Sequence, residues 1–70
     1  MSDECSRIID RLIERRRSMG MTQEELAKAT NLTQSVIARL EGKKAIPKLD
    51  TLVKITTALD CSVELVPVSQ

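Results

Sequence analysis

The stretch from Thr22 to Gly42, TQEELAKATNLTQSVIARLEG, constrains the fold more than any other part of the chain. It reads as two short helices joined by a tight turn. Thr22-x-x-Glu25 is a capping box: the threonine hydroxyl accepts the Glu25 backbone N–H, and the glutamate reaches back to the cap. Leu26 and Ala27, with Ala29, face inward, and the helix ends near Thr30. Asn31 follows, a residue that takes positive φ at little cost. Thr33 caps the next helix, which runs to about Glu41 with Val36, Ile37 and Leu40 inward. Gly42 breaks it.

The flanks read as further helices. Residues 2–18 form a first helix capped by Ser2 or Asp3, with Asp3 and Glu4 at the positive end of its dipole and Arg15, Arg16 and Arg17 at the negative end. Ile8, Ile9, Leu12 and Ile13 make its apolar face, and Gly20 supplies a left-handed stop. After Pro47 a fourth helix spans about Leu49 to Ala58, with Leu52, Val53, Ile55 and Leu59 as its apolar contacts. The period then changes. Residues 62–68 alternate around Val63 and Leu65, are β-branched, and read as a short strand. One strand needs a partner, and no earlier segment resembles one, so a second copy of the chain is the simplest source. The fold class expected is mainly α: four helices in one domain over residues 1–70, with a C-terminal strand of Val63, Leu65 and Val66 paired across a dimer.

Composition narrows the function. Seventy residues make one small domain with a modest core. The chain has no Phe, Tyr or Trp, so the core is aliphatic and there are no rings on which single-stranded bases could stack. It also has no His. With no nucleophile beside a base, no glycine-rich phosphate loop and no metal cluster, we expect no enzyme, no metal and no cofactor. Cys5 and Cys61 lie far apart without metal-ligand spacing. They read as free cytosolic thiols, with a disulfide as the alternative. No stretch suits a membrane span or a signal peptide, which leaves a cytoplasmic protein as the expectation.

Net charge is only +1, yet Arg39, Lys43, Lys44 and Lys48 gather around a single Glu41. Such a stripe is either a solvated loop or a set of phosphate contacts. The helix pair favours the second reading. In a helix-turn-helix the first helix crosses the DNA backbone and the second lies in the major groove. Ala27 is small enough for the close crossing, Asn31 suits the turn, and Ile37 can lock the helices together. Thr33, Gln34 and Ser35 then form an exposed first turn. Gln34 can hold adenine with two hydrogen bonds, Ser35 can bond several base edges, and the Thr33 methyl can meet a thymine methyl. Arg39, one turn on, can reach guanine or a phosphate. Gln23 and Thr22, at the start of the first helix of the pair, can hold a phosphate. Lys43, Lys44 and Lys48 can neutralise others, and Gly42 lets the backbone approach the strand. Each residue has a plainer reading as a cap or a solvated side chain.

The segments GMTQEELAKA, NLTQSVIARLEGKK and P-x-LDTLVKITTALD together resemble the Cro/C1-type (XRE) helix-turn-helix regulators, a family that includes phage repressors, over residues 8–60. The resemblance implies a lambda-repressor-like helical bundle that binds operator DNA as a dimer. It implies DNA contacts at Gln23, Thr33, Gln34, Ser35 and Arg39, and an ion pair between Arg16 and Glu41. The chain departs from the family in five places, one being the Glu41-Gly42 junction, which lacks the residue often found between them. Asn31 replaces the glycine of the turn, Lys48 stands where Ser or Thr caps the fourth helix, Asp60 replaces a glycine, and the fifth helix gives way to VELVPV. That ending resembles small antitoxins. Two functions are therefore carried forward. One is a repressor binding double-stranded DNA as a homodimer on a palindromic operator. The alternative is an antitoxin that neutralises a toxin protein and represses its own operon.

Overall fold

Every helix in the chain is set by its ends. The computed structural model describes residues 1–69 and contains α1 (Asp3–Ser18), α2 (Gln23–Thr30), α3 (Gln34–Glu41) and α4 (Leu49–Ala58). Ser2, Thr22 and Thr33 are extended N-caps whose hydroxyls accept the backbone N–H three residues on, at 3.2, 3.0 and 3.2 Å. Ser2, rather than Asp3, caps α1. The α4 cap, Lys48, has the same extended backbone but makes no side-chain capping bond.

The C-terminal ends share one device. A left-handed residue follows each helix: Gly20 (φ 68°), Asn31 (59°), Lys43 (59°) and Asp60 (57°). The next N–H then returns to a carbonyl five residues back. Met21 reaches Arg16, Leu32 reaches Ala27, Lys44 reaches Arg39 and Cys61 reaches Thr56, at 2.8–3.1 Å. These bonds satisfy carbonyls that the last helical turn leaves without partners. Lys43, not Gly42, takes the left-handed position after α3. Gly42 is right-handed at φ −77°, and a Cβ built on it would lie 3.2 Å from the Ala38 carbonyl oxygen.

The core is aliphatic throughout: Ile9 and Leu12 of α1, Leu26 and Ala27 of α2, Ile37 and Leu40 of α3, and Ile55 with Leu59 from α4 and its end. Ile13, Met21, Leu32, Leu52 and Ala58 pack around it. α2 packs on α3 and α4, and α1 packs on α3. Four expected inward residues lie outside this core. Ile8, Val36 and Val53 are 42%, 41% and 45% exposed, and Ala29 is also exposed. Ile8 and Val36 adjoin the buried Ile9 and Ile37, Val53 lies between the partly buried Leu52 and the buried Ile55 two residues on, and one residue turns a helix by about 100°. They sit on the flanks of their helices, beyond what the neighbouring helix covers. Two threonines take inward places instead. Thr30 donates to the Leu26 and Ala27 carbonyls at 2.8 and 3.1 Å, and Thr56 donates to Val53 at 3.0 Å, so neither buries an unpaired hydroxyl.

The C-terminal strand does not form. Among the described residues there is no strand, and residues 61–69 run without regular structure. Val63, Leu65 and Val66 are 48%, 99% and 79% exposed. The cause is the one that made the segment conspicuous: an isolated strand has no ladder of hydrogen bonds to hold it, and the single chain supplies none. Both cysteines are free and exposed. Among the described residues no helix is long and apolar enough to cross a membrane.

The capping box has a measurable consequence. Glu25 Oε1 accepts the Thr22 backbone N–H at 2.9 Å. That bond first, then the Thr22 hydroxyl, holds the Glu25 carboxyl below the ordinary 4.5. A lowered folded value means stabilisation that is complete above the unfolded value and lost as pH falls through the folded one. The wild type should therefore exceed Glu25→Gln in stability at neutral pH. The gap should close as the pH falls below the ordinary carboxylate range and through the lowered folded value, as read by denaturant melts across a pH series. A gap independent of pH would remove the carboxylate from the account.

Candidate nucleic-acid interface

α3 presents two faces because its neighbours cover only one. Ile37 and Leu40 are 0% and 3% exposed and pack inward. Gln34, Ser35, Ala38 and Arg39 are exposed. At 100° per residue these four share one outward strip. None of their side chains is held by another described residue. Thr33, just before them, is exposed but has its oxygen engaged by the Val36 N–H. Ala38 was not singled out from the sequence. It lies one turn beyond Gln34, and it leaves the strip low enough in the middle for close approach to a flat partner. Its signal was the i, i+4 spacing from Gln34.

The pair's mutual angle is held by the Asn31 turn (φ 59°, ψ 32°) and by Ala27 and Ile37, which lie together in the core. A third element sits at the start of α2. Arg16 of α1 places its guanidinium against Glu41 at the end of α3, Nε to Oε2 at 2.7 Å and Nη2 to Oε1 at 2.9 Å. Its Nη1 donates to the Met21 carbonyl at 2.7 Å. The two side chains are 9% and 8% exposed. Gln23 Nε2 also donates to Glu41 Oε1, at 3.0 Å. One carboxylate thus gathers α1, the start of α2 and the end of α3. The three consecutive arginines diverge: Arg16 is buried, Arg15 donates from Nε to the Leu59 carbonyl at 2.9 Å, and Arg17 is exposed. Arg15 therefore closes the end of α4, where a cation suits the helix dipole.

The basic loop divides. Lys43 Nζ lies 2.8 Å from Asp10 Oδ1 and is held toward α1. Lys44, Lys48 and Gly42 are exposed. With Glu41 engaged by Arg16, no acidic side chain from the loop competes for Lys44 or Lys48. Thr22 serves both halves of the capping box.

Two short capped helices locked through a left-handed turn, the second with an unpaired polar strip, define a helix-turn-helix domain. The chain belongs to the XRE-type helix-turn-helix family: the family profile described as "Helix-turn-helix" matches residues 12–66. Over 65 residues it is 34% identical to antitoxin HigA1 of Mycobacterium tuberculosis, covering 93% of this chain and 44% of that protein. It is 33% identical over 60 residues to an uncharacterized HTH-type transcriptional regulator of Haemophilus influenzae, covering 86% of this chain and 61% of the other. The chain therefore spans between two-fifths and two-thirds of the length of these relatives. Its fold matches a chain of a toxin–antitoxin module from Streptococcus pneumoniae with TM-score 0.76 and 36% identity, over 96% of this chain and 74% of that one.

Proposed function

We propose that this chain is a sequence-specific double-stranded DNA-binding regulator, acting as a repressor. The observation that carries the reading is the outward strip of α3. It holds polar side chains without partners among the described residues, on a helix whose two ends and inner face are engaged. Gln34, Ser35 and Arg39, with Thr33 beside them, read base edges in the major groove. Gln23 and Thr22 with the start of α2, and Lys44, Lys48, Gly42 and Lys43 in the loop after α3, meet phosphates. Lys43 must leave Asp10 to do so. A homodimer on a palindromic operator follows from a second copy pairing with the exposed Val63, Leu65 and Val66, which gives each segment the ladder it lacks alone.

The test is selection of duplexes from a random-sequence pool by the 70-residue chain, followed by footprinting. A two-fold symmetric consensus with half-sites about one helical turn apart is expected. Failure to enrich any sequence sinks the reading. Lys44→Ala should weaken binding uniformly across sequences and reduce the salt slope by about 1. An unchanged slope would take Lys44 off the DNA.

A second reading is favoured by the names of two relatives. HigA1 is an antitoxin, and the Streptococcus chain belongs to a toxin–antitoxin module. On this reading the chain also binds and neutralises a toxin protein and represses the operon that encodes both. Co-purification with the product of an adjacent gene that is toxic when expressed alone would support it. Absence of any such gene beside this one would leave the repressor reading alone.

A further inference from the structure

We propose that Glu41 is a positioning residue for DNA binding: it holds the Gln23 amide in place before DNA arrives. The inference rests on the DNA reading above and deepens it. The observation is the double use of one oxygen. Glu41 Oε1 accepts both Arg16 Nη2 at 2.9 Å and Gln23 Nε2 at 3.0 Å. A carboxylate only accepts, so the nitrogen end of the Gln23 amide must face it. This settles which way the amide points. One Nε2 hydrogen is committed to Glu41, and the other remains for a phosphate oxygen at the mouth of α2.

The consequence is entropic. A free glutamine side chain loses rotamer freedom when it docks on a phosphate. Here much of that ordering is already made in the folded chain. The anchor is itself rigid, because Arg16 grips both oxygens of Glu41 and the Met21 carbonyl as well. The ion pair that joins α1 to α3 thus also fixes a side chain at the start of α2. Lys43 contrasts with Gln23: its ion pair with Asp10 occupies the charge that would meet a phosphate, whereas the Gln23 bond leaves a donor available.

The experiment separates positioning from stability. A buried ion pair can be replaced by apolar side chains of similar volume without loss of stability, so R16M/E41M should fold while leaving Gln23 without its anchor. Affinity is read by anisotropy on a duplex enriched by the wild-type chain. Q23A should lose about ten-fold or more, the net worth of one hydrogen bond to a charged phosphate oxygen. R16M/E41M should lose a similar factor, and adding Q23A to it should change affinity by no more than about two-fold. Equal affinity of R16M/E41M and wild type overturns the positioning role, as does full multiplication of the two losses. If R16M/E41M does not fold, nitrogen relaxation of the wild-type Gln23 side-chain amide decides alone. An amide as rigid as the surrounding backbone in free protein supports the role, and a mobile one overturns it. A wild-type chain that enriches no duplex instead overturns the DNA reading itself, and the positioning role with it.

Discussion

Arg16→Ala should lower the stability of the chain by about 3–5 kcal/mol, the range for breaking a buried ion pair from one side. The reason lies with the residue left behind. Glu41 is 8% exposed at its side chain and has both oxygens on the guanidinium. Without Arg16 its charge stays buried with the Gln23 amide as its remaining hydrogen-bond donor. The Met21 carbonyl, which accepts Arg16 Nη1, is released at the same time. In a domain whose total stability is of order 5–15 kcal/mol this loss is enough to populate the unfolded state. Urea denaturation is the measurement, and a change below about 1 kcal/mol would place the pair among exposed bridges of little worth. The folded fraction of the variant keeps the Glu41–Gln23 bond, so its DNA affinity should fall much less than its stability.

Gln34→Ala should do the reverse. Its side chain is exposed, and no described residue holds it. Removing it should leave the unfolding midpoint nearly unchanged. On selected DNA the cost should be about 1–3 kcal/mol, because a bidentate contact to one base is lost. The preference should relax at one position of the consensus and persist at the others. That pattern distinguishes a base reader from a phosphate contact, which weakens all sequences alike. Unaltered affinity and unaltered consensus would remove the first turn of α3 from the recognition surface.

The two variants divide the chain along a line that sequence reading follows only partly. Helix starts were legible at Ser2, Thr22 and Thr33 because a cap acts over three residues. The turn at Asn31 was legible because few non-glycine residues accept its backbone. The end of α3 at Glu41 was legible from Gly42, but the left-handed backbone that follows sits at Lys43, and lysine carries no local sign of it. Helix faces were legible to within one residue. Val36 and Val53 are apolar and adjacent to core positions, so only the coverage by other helices decides that they stay at the surface. Ala38 joined the outward strip of α3 for the same reason in reverse. The strand of residues 62–68 was read from alternation and β-branched side chains, which specify a face without supplying the neighbour that would bury it.

By itself the sequence determined the element order, the caps and the left-handed turn between α2 and α3. It also determined which polar residues occupy the first turn of α3. All of these depend on interactions between residues three to five apart, which the chain encodes wherever it goes. Tertiary structure alone decided how the charged side chains are used. Arg16 meets Glu41 across 25 residues and Gln23 meets it across 18. Lys43 turns to Asp10, and Arg15 turns to the end of α4. A charge has no inherent partner. It takes the one that packing brings within reach, and here packing brings three helices to a single carboxylate.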